Sequence, residues 1–289
     1  LGVKSFPGLE DGGAGVRIAI VDSGTPTTDL LKTVSSCSYG PKDQTDDVFG
    51  HATEIASILF GGGKIQGLCP NANPFYVKVL NDTGNGSIRS VVDGINKAID
   101  YDVDIINLSL GFARTEKCPK KLEKVCERAF QAGKTIVCAA GNDGSHVCWP
   151  AALETTISVG SAGKDGFKTA FSSFGEIDFV APGTDIPVFD KDGRYKTVSG
   201  TSFSAAIVTG VVALSFADLA KRSGTRPSPD DLKTSLQKMA VDLGREGWDE
   251  LTGYGYISGQ SDESSVCLKI DDGFFGKIIG NIRGFFGFG

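Results

Sequence analysis

Apolar positions along this chain fall into two alternating textures. Short continuous runs come first: Val16-Arg17-Ile18-Ala19-Ile20-Val21, then residues 74–80, 104–111 and 135–140, with shorter runs at 155–159 and 178–180. Runs that do not alternate with polar residues predict parallel strands buried on both faces. Between them the period becomes helical. Gly50-His51 opens a helix whose inward face is Ala52, Ile55, Ala56 and Leu59, closed by Gly61-Gly62-Gly63. Ser87 caps a second, with Ile88, Val91, Val92, Ile95, Ala98 and Ile99 on one face. A third turns Leu122, Val125, Cys126, Ala129 and Phe130 inward and stops at Gly133. After Gly200-Thr201-Ser202 a fourth is small and apolar through Ala205, Ala206, Val208, Val211, Val212 and Leu214, the pattern of a helix buried in the core. Ser228-Pro229 starts the last, with proline at the first helical position. Strand and helix in regular succession predict an α/β fold with a mainly parallel sheet and right-handed crossovers. Ligands on such sheets gather at the carboxyl ends of the strands. Asp22, Ser109, Asn142 and the loop ahead of Ser202 all fall there.

Composition narrows the function classes. A net charge of -6 with no Lys/Arg cluster argues against a nucleic-acid surface. No uninterrupted apolar window is long enough to span a bilayer. The chain starts at Leu1 rather than Met, as a processed or trimmed product would, and no compartment can be assigned. The seven cysteines are scattered, none forms a Cys-x-x-Cys pair, and with only two histidines a zinc site is not expected. Cys138 reads as a buried hydrophobe, and Cys118 and Cys126 are close enough in sequence to pair.

Serine-based amide hydrolysis needs a hydroxyl, a base, a carboxylate to orient that base, and donors for the oxyanion. Ser202 at a helix N-terminus, His51 at another and Asp22 at a strand end supply the types, and Asn142 a neutral amide donor. Each also has an ordinary structural reading: serine as N-cap, histidine satisfied by backbone, Asp-Ser-Gly and Gly-Asn as turns. His146, in the polar loop Asp143-Gly144-Ser145-His146, reads as a surface residue.

Taken together, Ile20-Val21-Asp22-Ser23-Gly24, Gly50-His51-Ala52-Thr53, Ile106-Asn107-Leu108-Ser109-Leu110-Gly111, Ala139-Ala140-Gly141-Asn142, Val180-Ala181-Pro182-Gly183 and Gly200-Thr201-Ser202 closely resemble the signature blocks of the subtilisin-like serine peptidases. They come in that family's order, and the resemblance runs from about residue 14 to residue 257, where Gly253-Tyr254-Gly255-Tyr256-Ile257 is similar to its closing block. The chain order Asp, His, Ser is that of subtilisin. The resemblance implies a three-layer domain over residues 1–260, with 261–289 as a hydrophobic, Gly/Phe-rich extension. It implies Asp22 as orienting acid, His51 as general base and then acid, Ser202 as nucleophile, and Asn142 with the Ser202 N–H as oxyanion donors. Extended polypeptide substrate would pair with Asn85-Gly86-Ser87 and Ser109-Leu110-Gly111, while Ala139-Ala140-Gly141 and Cys148-Trp149-Pro150 wall the primary pocket. Those stretches hold no carboxylate, so a neutral or apolar residue is expected before the scissile bond.

No catalytic cofactor or catalytic metal is implied. The family's calcium loop is shortened to residues 61–67, so structural calcium is not carried over. Ala52 and Glu54 stand where the family has its second glycine and second histidine, and Ala206-Ile207 replaces a Pro-His pair. Glu54 reads as a solvated helix position. Partners implied are a polypeptide substrate and a propeptide or proteinaceous inhibitor. In the tail Phe275, Ile278, Ile279 and Ile282 recur at helical spacing, suiting either an extension docked on the domain or an amphipathic segment that meets a membrane or partner. Two other functions use the same residues: a transpeptidase or macrocyclase, and an inactive peptide-binding pseudo-peptidase.

Overall fold

The computed structural model describes residues 10–31, 37–39, 44–163 and 166–257. The expected boundary at 260 and the extension at 261–289 lie outside the described residues. The elements begin with β1 (Arg17–Asp22), β2 (Cys37–Tyr39), α1 (His51–Phe60) and the hairpin β3 (Gly61–Gly62) with β4 (Ile65–Gln66). There follow β5 (Asn73–Lys78), α2 (Ile88–Asp100), β6 (Ile105–Leu108), α3 (Lys120–Gln131), β7 (Thr135–Ala139), β8 (Ile157–Ala162) and β9 (Phe179–Pro182). The hairpin β10 (Ile186–Phe189) with β11 (Tyr195–Val198) leads into α4 (Thr201–Ser223), α5 (Pro229–Met239), β12 (Ala240–Val241) and β13 (Tyr256–Ile257).

A nine-stranded sheet runs in the order β12-β13-β9-β8-β7-β6-β1-β5-β2, parallel throughout except for β12 against β13. β1 shows why the apolar runs are continuous. Ile18 and Ile20 pack toward α1 and α4, Ala19 and Val21 toward α2 and α3, and all four are wholly buried. Burying each aliphatic side chain of this kind contributes roughly 1.5–3 kcal/mol, so neither face of the strand tolerates a polar residue. The result is the three-layer α/β arrangement that the strand–helix alternation predicts.

Helix α4 is the axis of the core. Every residue from Phe203 to Phe216 is buried, and the helix touches β6, β7, β8 and β9 as well as α1. By length and composition it could cross a membrane, but its apolar window is 78% buried inside the domain. The short elements β2, β10, β11, β12 and β13 have no counterpart in the apolar pattern. β11 lies exposed over Tyr195, Lys196 and Thr197, so no buried face marks it. Ser87 and Ser228 do cap α2 and α5, each in a reciprocal box with the residue three positions on.

Cys118 and Cys126 correct the expectation that they might pair: both are buried free thiols, as are Cys69 and Cys138. Burial pushes the Cys126 thiol up to about 12, with Cys118 nearby adding to the effect. Residues 61–67 fold as the tight β3–β4 hairpin and contain no carboxylate, one of the main ligand types of calcium sites.

Candidate active site

The switch in strand order beside β1, which has β5 on one side and β6 on the other, opens a crevice at the carboxyl ends of the strands. Asp22 closes β1 there and is fully buried. His51 is the first residue of α1, entered through Gly50 at φ 99°, a conformation that disfavours any residue with a Cβ. His51 Nδ1 lies 2.9 Å from both Asp22 carboxylate oxygens. A carboxylate accepts only, so Nδ1 carries the proton and Nε2 is left to face the crevice chemistry. Burial alone would lower the imidazole's pKa; the Asp22 carboxylate outweighs it, aided by the charges of Glu54 and Asp47, and holds His51 above its ordinary value.

Two residues that the sequence motif leaves unassigned fix this pair. Asp47, buried, accepts from the Ser23 hydroxyl and the Gly50 N–H at 2.7 Å each through one oxygen. Through the other it accepts from the Thr53 N–H at 2.7 Å and the Thr53 hydroxyl at 2.6 Å. The Ser23 hydroxyl oxygen in turn accepts from the Ala52 N–H at 2.9 Å. Ser23 adjoins Asp22 and Ala52 adjoins His51, so this latch sets the separation of the acid and the base. The signal was an acidic residue just ahead of a helix start, the pattern of a cap. Behind it, buried Lys78 donates to the carbonyls of Ser23 and Asp46 at 2.7 and 3.0 Å and pairs with Asp82. A lysine inside a continuous apolar strand was the cue for such a partnered cation.

Ser202 lies half-buried in the first turn of α4, after Gly200 at φ 151°. The Phe203 ring, one residue on, sits 5.8 Å from the His51 ring, which brings the serine and the imidazole to the same crevice. Among the described residues the Ser202 hydroxyl donates to the Ser109 carbonyl at 3.1 Å and makes no hydrogen bond to His51. The Ser109 hydroxyl donates back to the Ser202 carbonyl at 2.8 Å. The pair expected from sequence is therefore formed between Asp22 and His51, while Ser202, one residue before the Phe203 ring that faces His51, has its hydroxyl turned toward the end of β6.

Asn142 stands just beyond β7. Its Oδ1 accepts from the Thr201 N–H at 2.8 Å and the Thr201 hydroxyl at 2.9 Å. Two donors on one side fix the amide's orientation, so the NH₂ points away from Thr201. The Ser202 N–H belongs to the first turn of the same helix, where amides lack intrahelical acceptors. The Asn142 amide, anchored on Thr201, and the Ser202 N–H thus both lie at the start of α4.

The expected substrate segments border this crevice. Asn85, Gly86 and Gly111 are exposed, Leu110 and Gly141 half-buried, and Ser109, Ala139 and Ala140 buried. Phe49 is 46% exposed and lies against Gly84, where a Cβ would come within 2.5 Å of its ring. It forms an apolar wall between His51 and residues 84–86. The Trp149 indole is buried under the Arg114 guanidinium and donates to the Thr115 carbonyl at 3.3 Å. Glu54 departs from the expectation of a solvated position: it is buried and pairs with Lys196 of β11 at 2.6 Å. His146 is exposed, as expected.

A parallel α/β sheet whose crevice holds a carboxylate-bound imidazole beside a helix-borne serine defines the class of subtilisin-like serine peptidases. Residues 13–255 match the model of the Subtilase family, and the chain belongs to that family. It is 34% identical over 254 residues to the minor extracellular protease Epr of Bacillus subtilis (strain 168), covering 85% of this chain and 38% of that protein. With the intracellular serine protease of Paenibacillus polymyxa it shares 32% identity over 273 residues, 88% of this chain and 82% of the relative. The structure of the prenylagaramide maturation protease PagA is similar at a TM-score of 0.74 and 26% identity, over 87% of this chain and 96% of that one. The chain spans under two fifths of Epr and 57% of the thermostable alkaline protease of Halalkalibacterium halodurans.

Proposed function

We propose that this protein is a serine endopeptidase that cleaves extended polypeptide through an acyl-enzyme on Ser202. The observation that carries the reading is the buried Asp22–His51 contact at 2.9 Å, which fixes the imidazole tautomer at the edge of the α4 start. In the reaction the Ser202 hydroxyl rotates off the Ser109 carbonyl toward His51. Nε2 takes its proton as Oγ bonds to the scissile carbonyl carbon, and the carbonyl oxygen becomes an oxyanion facing the Asn142 NH₂ and the Ser202 N–H. His51 then gives that proton to the leaving amine as the C–N bond breaks. Water repeats the sequence: His51 takes its proton, the acyl–oxygen bond breaks, and Ser202 regains a hydrogen.

A neutral or apolar residue before the scissile bond fits pocket walls at residues 139–141 and 148–150, which hold no charged side chain. Partners of the same chemistry, a propeptide or a proteinaceous inhibitor, would occupy the same strands. A second reading, in which the acyl-enzyme is resolved by an amine within a peptide, uses the same residues throughout. Labelling with a serine-directed fluorophosphonate tests the first step: wild-type protein is expected to label and Ser202→Ala to remain unlabelled. Folded wild-type protein that fails to label would make this a peptide-binding module. Product masses from a model peptide, linear and hydrated or joined to an amine, separate hydrolysis from transpeptidation.

A further inference from the structure

The proposed chemistry leaves one buried carboxylate beside His51 without a task. Glu54 lies one turn further along α1, and residues three apart on a helix are neighbours on its surface. Its negative charge reaches the imidazole and favours the protonated ring. A carboxylate this well covered is costly unless it is paired, and its partner is Lys196 Nζ at 2.6 Å. That lysine belongs to β11, whose residues Tyr195, Lys196 and Thr197 are exposed.

The strands β10 and β11 form a two-stranded sheet of their own. The first is packed: Ile186, Val188 and Phe189 are buried in the same core cluster as Ile55 and Leu59 of α1. The second is held through polar side chains. The Tyr195 hydroxyl accepts from the Lys64 N–H at 2.8 Å, and Lys196 reaches Glu54. At the tip between the strands, the Lys191 stem lies 3.7 Å from where a Cβ on Gly50 would stand, just ahead of His51. From Val198 the chain runs through Gly200, whose N–H donates to the Gly183 carbonyl at 2.8 Å, directly into Ser202. Glu54 is therefore on the helix that carries the base, and Lys196 is on the strand that delivers the nucleophile.

We propose that the Glu54–Lys196 pair positions the catalytic groups: it ties the strand that delivers Ser202 to the helix that carries His51, and it keeps a partly compensated carboxylate beside the imidazole. The inference rests on the serine-peptidase reading and adds two positioning residues to it. Other charges surround His51 and stay in place when this pair is changed. Asp22 of β1 binds Nδ1, and Asp47 ahead of α1 holds Gly50 and Thr53. Lys78 of β5 holds the Ser23 carbonyl, and Lys191 pairs with Asp192. The two halves of the tie are not equivalent, because the Lys196 side chain is 43% exposed and that of Glu54 12%. Removing the carboxylate leaves an ammonium that water can take up. Removing the ammonium strips a covered carboxylate of its partner and releases the strand.

The electrostatic half is read by proton NMR titration of the imidazole ring signals, which needs no activity. The chain has two histidines, so exposed His146 serves as the internal reference, and the signals lost in His51→Gln assign the other ring. Glu54→Gln is expected to move the His51 midpoint to lower pH by about half a unit, since a charge favouring the imidazolium is gone, while His146 stays put. The acid limb of kcat/KM follows the same shift. Lys196→Met reads the positional half: kcat should fall about three- to tenfold with little change in KM, and Lys196→Arg, which keeps the pair, should recover most of the loss. An unmoved His51 midpoint in Glu54→Gln overturns the proposal, whether or not the melting temperature falls. A wild-type kcat in Lys196→Met, or a loss that Lys196→Arg does not recover, overturns it as well. Fluorophosphonate labelling of wild-type protein is read in parallel. A shifted midpoint in protein that does not label would sink the peptidase chemistry and leave the pair's hold on His51 in place; labelling with an unmoved midpoint would do the reverse.

Discussion

At the amino ends of β1, β6 and β7, three cations close on two carboxylates. Asp104, buried, accepts from the Arg17 N–H at 2.8 Å and pairs with Arg226 at 2.5 Å, while Asp102 meets Arg17 at 2.5 Å, Arg226 at 3.1 Å and Lys134. At the carboxyl ends of the same strands the charge is no denser, but it is used differently. His51 spends Nδ1 on Asp22 and keeps Nε2; Asn142 spends its carbonyl on Thr201 and keeps its NH₂; Ser202 rests on a single carbonyl acceptor at 3.1 Å. One end is a closed set of ion pairs. The other is a set of groups each held by one valence with another left open, and that is what chemistry on a bound peptide requires. Charge clustering would have pointed to the wrong end of the sheet.

The largest break in this contrast comes from removing an open valence. Asn142→Ala deletes the proposed side-chain oxyanion donor and leaves the Asp22–His51 pair in place. Turnover should fall by roughly a hundred- to a thousandfold, the magnitude measured for such a donor in subtilisin, with little change in KM. Steady-state kinetics on one amide substrate decides it. A loss confined to KM would mean that Asn142 binds substrate rather than the transition state.

A smaller effect tests whether the latch behind the pair positions it. Asp47→Asn places an NH₂ against one of two donor sets, Ser23 with Gly50 or Thr53 with itself, and removes a negative charge near His51. His51 must be neutral to act as base, so activity rises with pH through its pKa, and because that pKa is raised the wild-type acid limb should lie above 6.5. In Asp47→Asn the limb should move to lower pH and the plateau of kcat/KM fall about tenfold, alongside a stability loss of about 1–3 kcal/mol from unsatisfied buried donors. A stability loss with an unmoved limb would reduce Asp47 to a structural cap.

Much of this was legible in the sequence because the physics that builds a parallel sheet also marks its carboxyl ends. Continuous apolar runs gave β1, β6 and β7, and the polar residue that ends each run, Asp22, Ser109 and Asn142, was where the crevice later appeared. What stayed hidden were relations across the chain. Asp47 satisfies donors from Ser23, Gly50 and Thr53, and no local pattern announces that the first of these lies on another element. Glu54 reads as solvated on its own helix; its partner, Lys196, comes from a hairpin whose exposed strand leaves no apolar signature.

The smallest effect probes the closed end. Asp102 is 54% exposed, and hydrogen bonds from Lys134 and then Arg17 hold its carboxyl well below the usual carboxylate range. A folded-state pKa below the unfolded value of about 3.9 contributes stability that is present above that pH and lost as pH falls through the folded value. Solvent screening limits the contribution of so exposed a group to about 1 kcal/mol or less. Asp102→Asn should therefore lower the melting temperature by about 2–4 °C at neutral pH, by less in high salt, and by less again in acid where wild-type protein loses the same interaction. Its kcat/KM should match wild type, since each of these valences is satisfied within the fold and none reaches the crevice. Were activity to fall together with stability, the two ends of the sheet would be coupled through β1 and β6, and the separation between a holding end and a reacting end would fail.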